Sequence, residues 1–189
     1  LILMGALPPP EGQSIVTFGP APNRTATQEQ YSAATQFYGW RATRGQASVD
    51  NEVREVYYLS GGESTPSSPV ASVYQVVAAT FPNGQNSFTL TAVTLAAARV
   101  FHGAVALGEQ QFMVMGGNDG ATPIASAERI DVAARTSTQL ADMPDARSHF
   151  AHVLHTPPGD GAARVLVVGG RDGFFAPLSS AWQYDLAAD

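Results

Sequence analysis

The sequence contains no cysteine and no lysine. Without cysteine, disulfides, thiolate metal sites and cysteine nucleophiles are all excluded in this segment. Without lysine, each of the 10 basic residues is an arginine, and 16 acidic residues bring the formal charge to −6. A basic footprint for nucleic acid is therefore missing; the lack of lysine itself reads as a base-composition bias of the encoding genome. No run of about 18 apolar residues occurs, so no membrane span is expected. Leu1 to Leu7 is too short for a secretion signal and lacks its basic flank. Nor does any stretch sustain a helical period, with Thr25 to Ala34 the one place where a short helix is arguable.

Glycine and apolar residues are plentiful. A hydrophobic content of 44% against 14% charged residues, with 18 glycines and 13 prolines to make turns, points to a buried β protein and away from disorder. Three times an apolar stretch runs into two glycines: Val56 to Gly61-Gly62, Phe112 to Gly116-Gly117 and Val165 to Gly169-Gly170. The first glycines are 55 and 53 residues apart, a period that belongs to stacked supersecondary units. A strand that stays apolar at every position is covered on both faces, and the glycines ending it permit positive φ where the chain turns sharply.

About a dozen residues after each pair comes a second strand: Val73 to Val76, Ala127 to Val132 and Ala181 to Leu186. In the last of these, alternation places Trp182, Tyr184 and Leu186 on one face, with Gln183 and Asp185 on the other. Tyr74, Glu128 and Trp182 fall at equal steps of 54 residues. A weaker copy lies upstream, with Leu1 to Met4 and Ser14 to Phe18 as strands about a proline-glycine turn and Glu29 to Ser32 following. Four units result, at about 1–43, 44–97, 98–145 and 146–189. In the third, the four strands are expected at Val100 to Leu107, Gln111 to Met115, Ala127 to Val132 and Thr136 to Leu140.

These features together resemble the kelch repeat. Arg99 and Arg147 match the arginine that opens such a unit, Arg44 matches it more weakly, and the three double glycines match the end of the second strand. Tyr184-Asp185 matches the aromatic-aspartate pair of the third strand and Ile130-Asp131 half-matches it, while Met143-Pro144-Asp145-Ala146-Arg147 matches the link between units. Trp40 is the one tryptophan placed where a fourth strand should carry it, with Phe88 and Leu140 standing in elsewhere. The resemblance implies an all-β fold of kelch-type β-propeller blades, four-stranded antiparallel sheets packed around a channel. Because the chain opens inside a first strand and stops just after a third, a partial propeller cut from a longer protein is expected over a complete four-bladed ring. The cysteine-tyrosine copper site of galactose oxidase-like propellers is excluded here by composition.

Loops on a rigid scaffold are where binding groups concentrate. Gly62 to Pro69, Gly117 to Pro123 and Gly170 to Pro177 occupy equivalent turns and are expected on one rim. This makes Asn118, Asp119, Arg171, Asp172, Phe174 and Phe175 candidate binding residues; the bland alternative is that the aspartates only stabilise their own turns and that one phenylalanine packs into a neighbouring blade. Arg99, His102, Arg147 and His149 are candidates to face the channel. His149, His152 and His155 are three apart on an expected strand, a spacing that does not converge on a metal, so no metal site and no cofactor is expected. Asn23-Arg24-Thr25 fits a glycosylation triplet of little weight, and Gly116 to Gly120 lacks the lysine and helix of a phosphate loop.

Two functions follow. The first is a non-catalytic binding module whose rim loops meet a protein or carbohydrate partner. The alternative is part of a propeller enzyme acting in the channel on a sugar or metal-bound substrate through His102, His149, Arg99 and Arg147. No nucleophile, base and acid can be assembled into a set, which favours binding. The compartment stays open, extracellular or periplasmic being slightly favoured.

Overall fold

The computed structural model describes residues 2–6, 13–18, 26–31, 39–49, 51–65, 67–77, 87–158 and 161–186. Among these residues every regular element is a strand, and the chain forms an all-β partial propeller of successive antiparallel sheets. The first sheet holds β1 (Ile2–Ala6), β2 (Gln13–Phe18) and β3 (Ala26–Tyr31). In the second are β4 (Arg41–Val49), β5 (Glu52–Ser60), β8 (Ser72–Val77) and β9 (Ser87–Thr94), with a small hairpin of β6 (Glu63–Thr65) and β7 (Ser68–Pro69) between its middle strands. The third sheet runs β10 (Gly103–Ala106), β11 (Gln111–Met115), β12 (Ala127–Asp131) and β13 (Thr136–Leu140). The fourth has β14 (Ala151–His155), β15 (Arg164–Val168) and β16 (Ala181–Asp185). No helix among the described residues is long and apolar enough to cross a membrane.

Register agrees with the repeat. Tyr74, Glu128 and Trp182 pair with Leu59, Val114 and Val167, each two residues before the first glycine of its unit. The expected strands β11 and β13 occur with the same ends. The first strand of the third unit is shorter than expected, because Phe101 adopts a φ of 55° and interrupts the extended chain. The arguable helix of Thr25 to Ala34 is instead strand β3 over Ala26–Tyr31, where Gln28 and Gln30 oppose Val16 and Ser14 in the ladder. β4 starts at Arg41, so the boundary expected at 44 falls inside a strand. Trp40 directly precedes it, and Arg44 lies in mid-strand, 71% exposed and paired with Glu55, not in the place that Arg99 and Arg147 take. The triplet Asn23-Arg24-Thr25 lies outside the described residues, as does the side chain of Phe88.

Two apolar clusters hold the later sheets face to face. Val56, Tyr58, Val73, Ala104, Phe112, Val114 and Ile130 join the second sheet to the third, with Tyr58 stacked on Phe112 at 5.7 Å between ring centroids. Met113, Met115, Leu140, Phe150, Val165, Val167 and Tyr184 join the third to the fourth. Strand alternation explains the division, since Phe112 and Val114 leave β11 on one face and Met113 and Met115 on the other. Each such side chain contributes on the order of 1.5–3 kcal/mol by leaving water. The far face of the fourth sheet is open: Val153 is 52% exposed and Val168 44%, whereas their counterparts Val105 and Met115 are buried at 6% and 0%.

Backbone bonds repeat from sheet to sheet at the glycine end. Gly62 N donates to Arg99 O at 2.8 Å, and Gly117 N donates to Arg147 O at 2.9 Å. Nearer the axis, Phe101 N donates to Gly39 O at 3.0 Å and His149 N to Phe101 O at 3.1 Å. Gly39, Phe101 and His149 are equivalent residues, all with φ between 55° and 65°. The same left-handed kink therefore precedes the inner strands β4, β10 and β14, and it is what lets one sheet reach the next.

Candidate functional site

The loops that follow the double glycines have one construction. Gly62 O accepts from Val70 N at 2.8 Å, Gly117 O from Ile124 N at 2.9 Å and Gly170 O from Leu178 N at 2.9 Å. Each neck is closed by a pairing onto proline: Glu63 with Pro69, Asn118 with Pro123 and Arg171 with Pro177. Neighbouring loops also touch. A Cβ placed on Gly120 would lie 2.9 Å from Pro69 Cδ, and one on Gly173 would lie 3.7 Å from Pro123 Cδ. The three loops thus share one rim.

Inside the loops the polar side chains hold the turns. Asn118 Oδ1 accepts from Gly120 N at 2.7 Å, and Asp119 Oδ1 accepts from Ala121 N at 2.9 Å and Thr122 N at 2.8 Å. The bonds from Thr122 and Ala121 hold the Asp119 carboxyl below the usual carboxylate range. Asp172 Oδ1 does the same work, accepting from Phe174 N at 2.8 Å and Ala176 N at 2.9 Å. Both phenylalanines are left outside: Phe174 is 93% exposed and Phe175 63%. Neighbours on an extended chain would point opposite ways. Here Phe175 takes a φ of 59° and its N–H donates to Asp172 O at 3.0 Å, so the loop turns back and projects both rings. Arg171 is exposed, and its backbone exchanges two bonds with Ser148, at 2.8 and 3.1 Å.

The four channel candidates separate. Arg99 is 1% exposed; Nη1 donates to Gly116 O and Ser126 O, both at 2.9 Å, and Nη2 to Ser126 Oγ at 3.1 Å and Glu128 Oε1 at 2.9 Å. Arg147 is fully buried and repeats this on Gly169 O, Ser180 O and Ser180 Oγ, with Asp145 as its carboxylate at 3.0 Å and Trp182 beneath it at 5.8 Å. Both arginines stitch their own sheet's middle strands together. His102 is 1% exposed, with Nε2 2.9 Å from Ser60 Oγ and no partner on Nδ1. Burial, then the charges of Arg99 and Arg41, hold it well below the ordinary imidazole value.

His149 alone of the four is open to solvent. It is not on a strand, because β14 begins at Ala151 and His149 has a φ of 57°. Its ring stacks on Phe101 at 4.0 Å, and Nδ1 lies 3.0 Å from Ser148 Oγ. His152, farther along, lies over the inner strand of the third sheet, with Nε2 3.1 Å from both N and O of Ala104. His155 meets Gln183 at the other end of β14. Among the described residues no group of three or more histidines, aspartates and glutamates is placed to hold a metal.

Glu128, Ser60 and Arg41 were not among the site candidates read from the sequence. Glu128 sits at one of the 54-residue landmarks, where Tyr74 and Trp182 gave no hint of a carboxylate. Arg41 had no signal, since its counterparts are Gly103 and Ala151.

No family model matches the sequence, and no curated protein matches it. Among solved structures, YjhT shares the fold. It superimposes on 90% of this chain with a TM-score of 0.60 at 9% identity. The chain spans 48% of the length of YjhT.

Proposed function

We propose that this chain is part of a kelch-type propeller that serves as a binding module, docking a protein partner on the rim loop at Phe174 and Phe175. The observation that carries the reading is the exposure of the two adjacent rings, 93% and 63%, on a loop pinned by Asp172. Exposed aromatic area held on a rigid support loses little entropy on binding and makes an effective anchor, and Arg171 beside it adds a directional donor. A carbohydrate would call for free amide and carboxylate groups beside the rings. Asn118, Asp119 and Asp172 each commit Oδ1 to their own loop, so only one polar atom of each is left for such a ligand. The enzymatic alternative has less support, as Arg99 and Arg147 are engaged within their sheets and His102 is enclosed.

The test is the double substitution Phe174→Ser, Phe175→Ser, with wild type and variant immobilised and captured polypeptides identified by mass spectrometry. The variant should melt with the wild type and lose the captured partner, because removing a hot spot costs about 2 kcal/mol or more. Equal capture by both proteins would defeat the reading. A large fall in melting temperature would instead assign the rings to packing.

A further inference from the structure

At the inner end of the sheets, beside the rim, cationic and imidazole side chains from three sheets collect, and the charges acting on the imidazoles are positive ones. Arg41 is the first residue of β4, and the equivalent residues on the next two inner strands are Gly103 and Ala151. A Cβ on Gly103 would point at Phe150, 2.7 Å from its ring, and Phe150 is the counterpart of His102. The side chain of Arg41 accordingly leaves its strand toward His102. It reaches further: after burial its charge is the main influence lowering His152 of the fourth sheet, and it adds to that of Arg171 on His149 and to that of Arg99 on His102 of the third sheet. Arg171 acts on His149 from the other side, brought there by its backbone pairing with Ser148.

Arg41 differs from five other arginines of the chain in its partners. Arg44, Arg54, Arg99, Arg147 and Arg164 each lie at ion-pair distance from a carboxylate. Arg41 is half-buried and, among the described residues, its guanidinium makes one bond, to Trp40 O at 3.3 Å. A half-buried guanidinium with most of its donors unused is costly unless an anion meets it. The exposed side of the cluster is the stacked pair of Phe101 and His149, so a small solute can reach it.

We infer that Arg41, His149, His152 and Arg171 form a binding site for a small oxyanion, a carboxylate or phosphate group, at the axial end of the inner strands. Arg41 would take the oxyanion through its planar fork, with Arg171 closing from the rim. The site shares Arg171 with the aromatic loop but uses neither Phe174 nor Phe175, so the Phe174→Ser, Phe175→Ser variant leaves it intact.

The test is proton–carbon NMR of the histidine ring Cε1 signals on the full chain, titrated separately with inorganic phosphate and with acetate at constant ionic strength. The signals of His149 and His152 should move and saturate while that of His155 stays, and the tighter of the two anions names the group recognised. Arg41→Gln should weaken the titration about tenfold or more, the usual loss when a charge-assisted bond is removed. Arg171→Gln, a change in an exposed loop, should weaken it by a smaller factor and serves as the decisive variant if Arg41→Gln does not fold. Shifts no larger than those of His155, the same shifts with sodium chloride, or wild-type affinity in a folded Arg41→Gln or in Arg171→Gln would each overturn the inference.

Discussion

Arg99 Nη2 and Glu128 Oε1 lie 2.9 Å apart with 1% and 2% of their side chains exposed, a buried ion pair inside one blade. Glu128 also accepts from Ala96 N at 2.7 Å and Ser137 Oγ at 2.5 Å, and Arg99 fills its other donors on Gly116 and Ser126. In the next blade the landmark residue is Trp182, and Arg147 lies over its ring while taking its carboxylate from Asp145, which is 61% exposed. One arginine position is thus satisfied in two ways.

Removing Glu128 leaves a charge enclosed without its counterion, whereas Asp145 can be lost to water. Glu128→Ala should cost about 3–5 kcal/mol, the range for breaking a buried pair from one side. At this chain length that lowers the melting temperature by about 10 °C. Asp145→Ala should cost about 1 kcal/mol or less, as exposed pairs do. Thermal melts by circular dichroism compare the two, and equal losses would show that burial does not govern the pair.

Gly117 has a φ of 98°, and a Cβ there would stand 2.7 Å from Val100 O and 2.8 Å from His102 Cβ. Gly117→Ala should therefore cost at least about 2 kcal/mol from backbone strain and displacement of the neighbouring inner strand. Gly108→Ala is the control, because the nearest atom is Gln111 Cβ at 3.9 Å. Urea midpoints should fall for the first and hold or rise slightly for the second. A Gly117→Ala protein as stable as its parent would contradict the left-handed turn.

Histidine sets the acid side of the stability profile. Burial first, and then nearby positive charge, hold His102, His149 and His152 below the ordinary 6.5 in the folded chain. The unfolded chain takes up these protons at the ordinary value and the folded chain resists, so the contribution is whole above about pH 6.5 and declines as pH falls. The buried His102 can cost up to about 1.4 kcal/mol per pH unit in that range, and the exposed His149 less, because solvent screens it. Asp119, Asp131 and Glu55 are held low in the folded state, so their losses come in more acid solution. Urea unfolding should show a lower midpoint at pH 5.5 than at pH 7.5, and His102→Gln should flatten the difference. An unchanged midpoint would mean that these rings protonate freely in the fold.

Much of the architecture was legible because it is written in local terms. Gly61-Gly62, Gly116-Gly117 and Gly169-Gly170 mark strand ends through a backbone requirement that any neighbouring sequence would share, and the apolar runs before them need cover on both faces. Alternation in Trp182, Gln183 and Tyr184 separated buried from exposed positions. The left-handed residues were less legible, since Phe101, His149 and Phe175 take a conformation that glycine usually marks. That is why an expected strand was broken at His149, and why two adjacent phenylalanines both reached solvent.

The sequence alone determined the period, the strands and their register, because hydrophobic alternation and glycine turns act over a few residues. Which arginine is buried against a carboxylate, and which meets none among the described residues, was decided only by tertiary structure. Arg41 and Arg99 carry the same side chain, but one enters a blade facing Glu128 and the other leaves an inner strand toward histidines far along the chain. Charge interactions depend on distance and burial in space, and neither is set by spacing along the sequence.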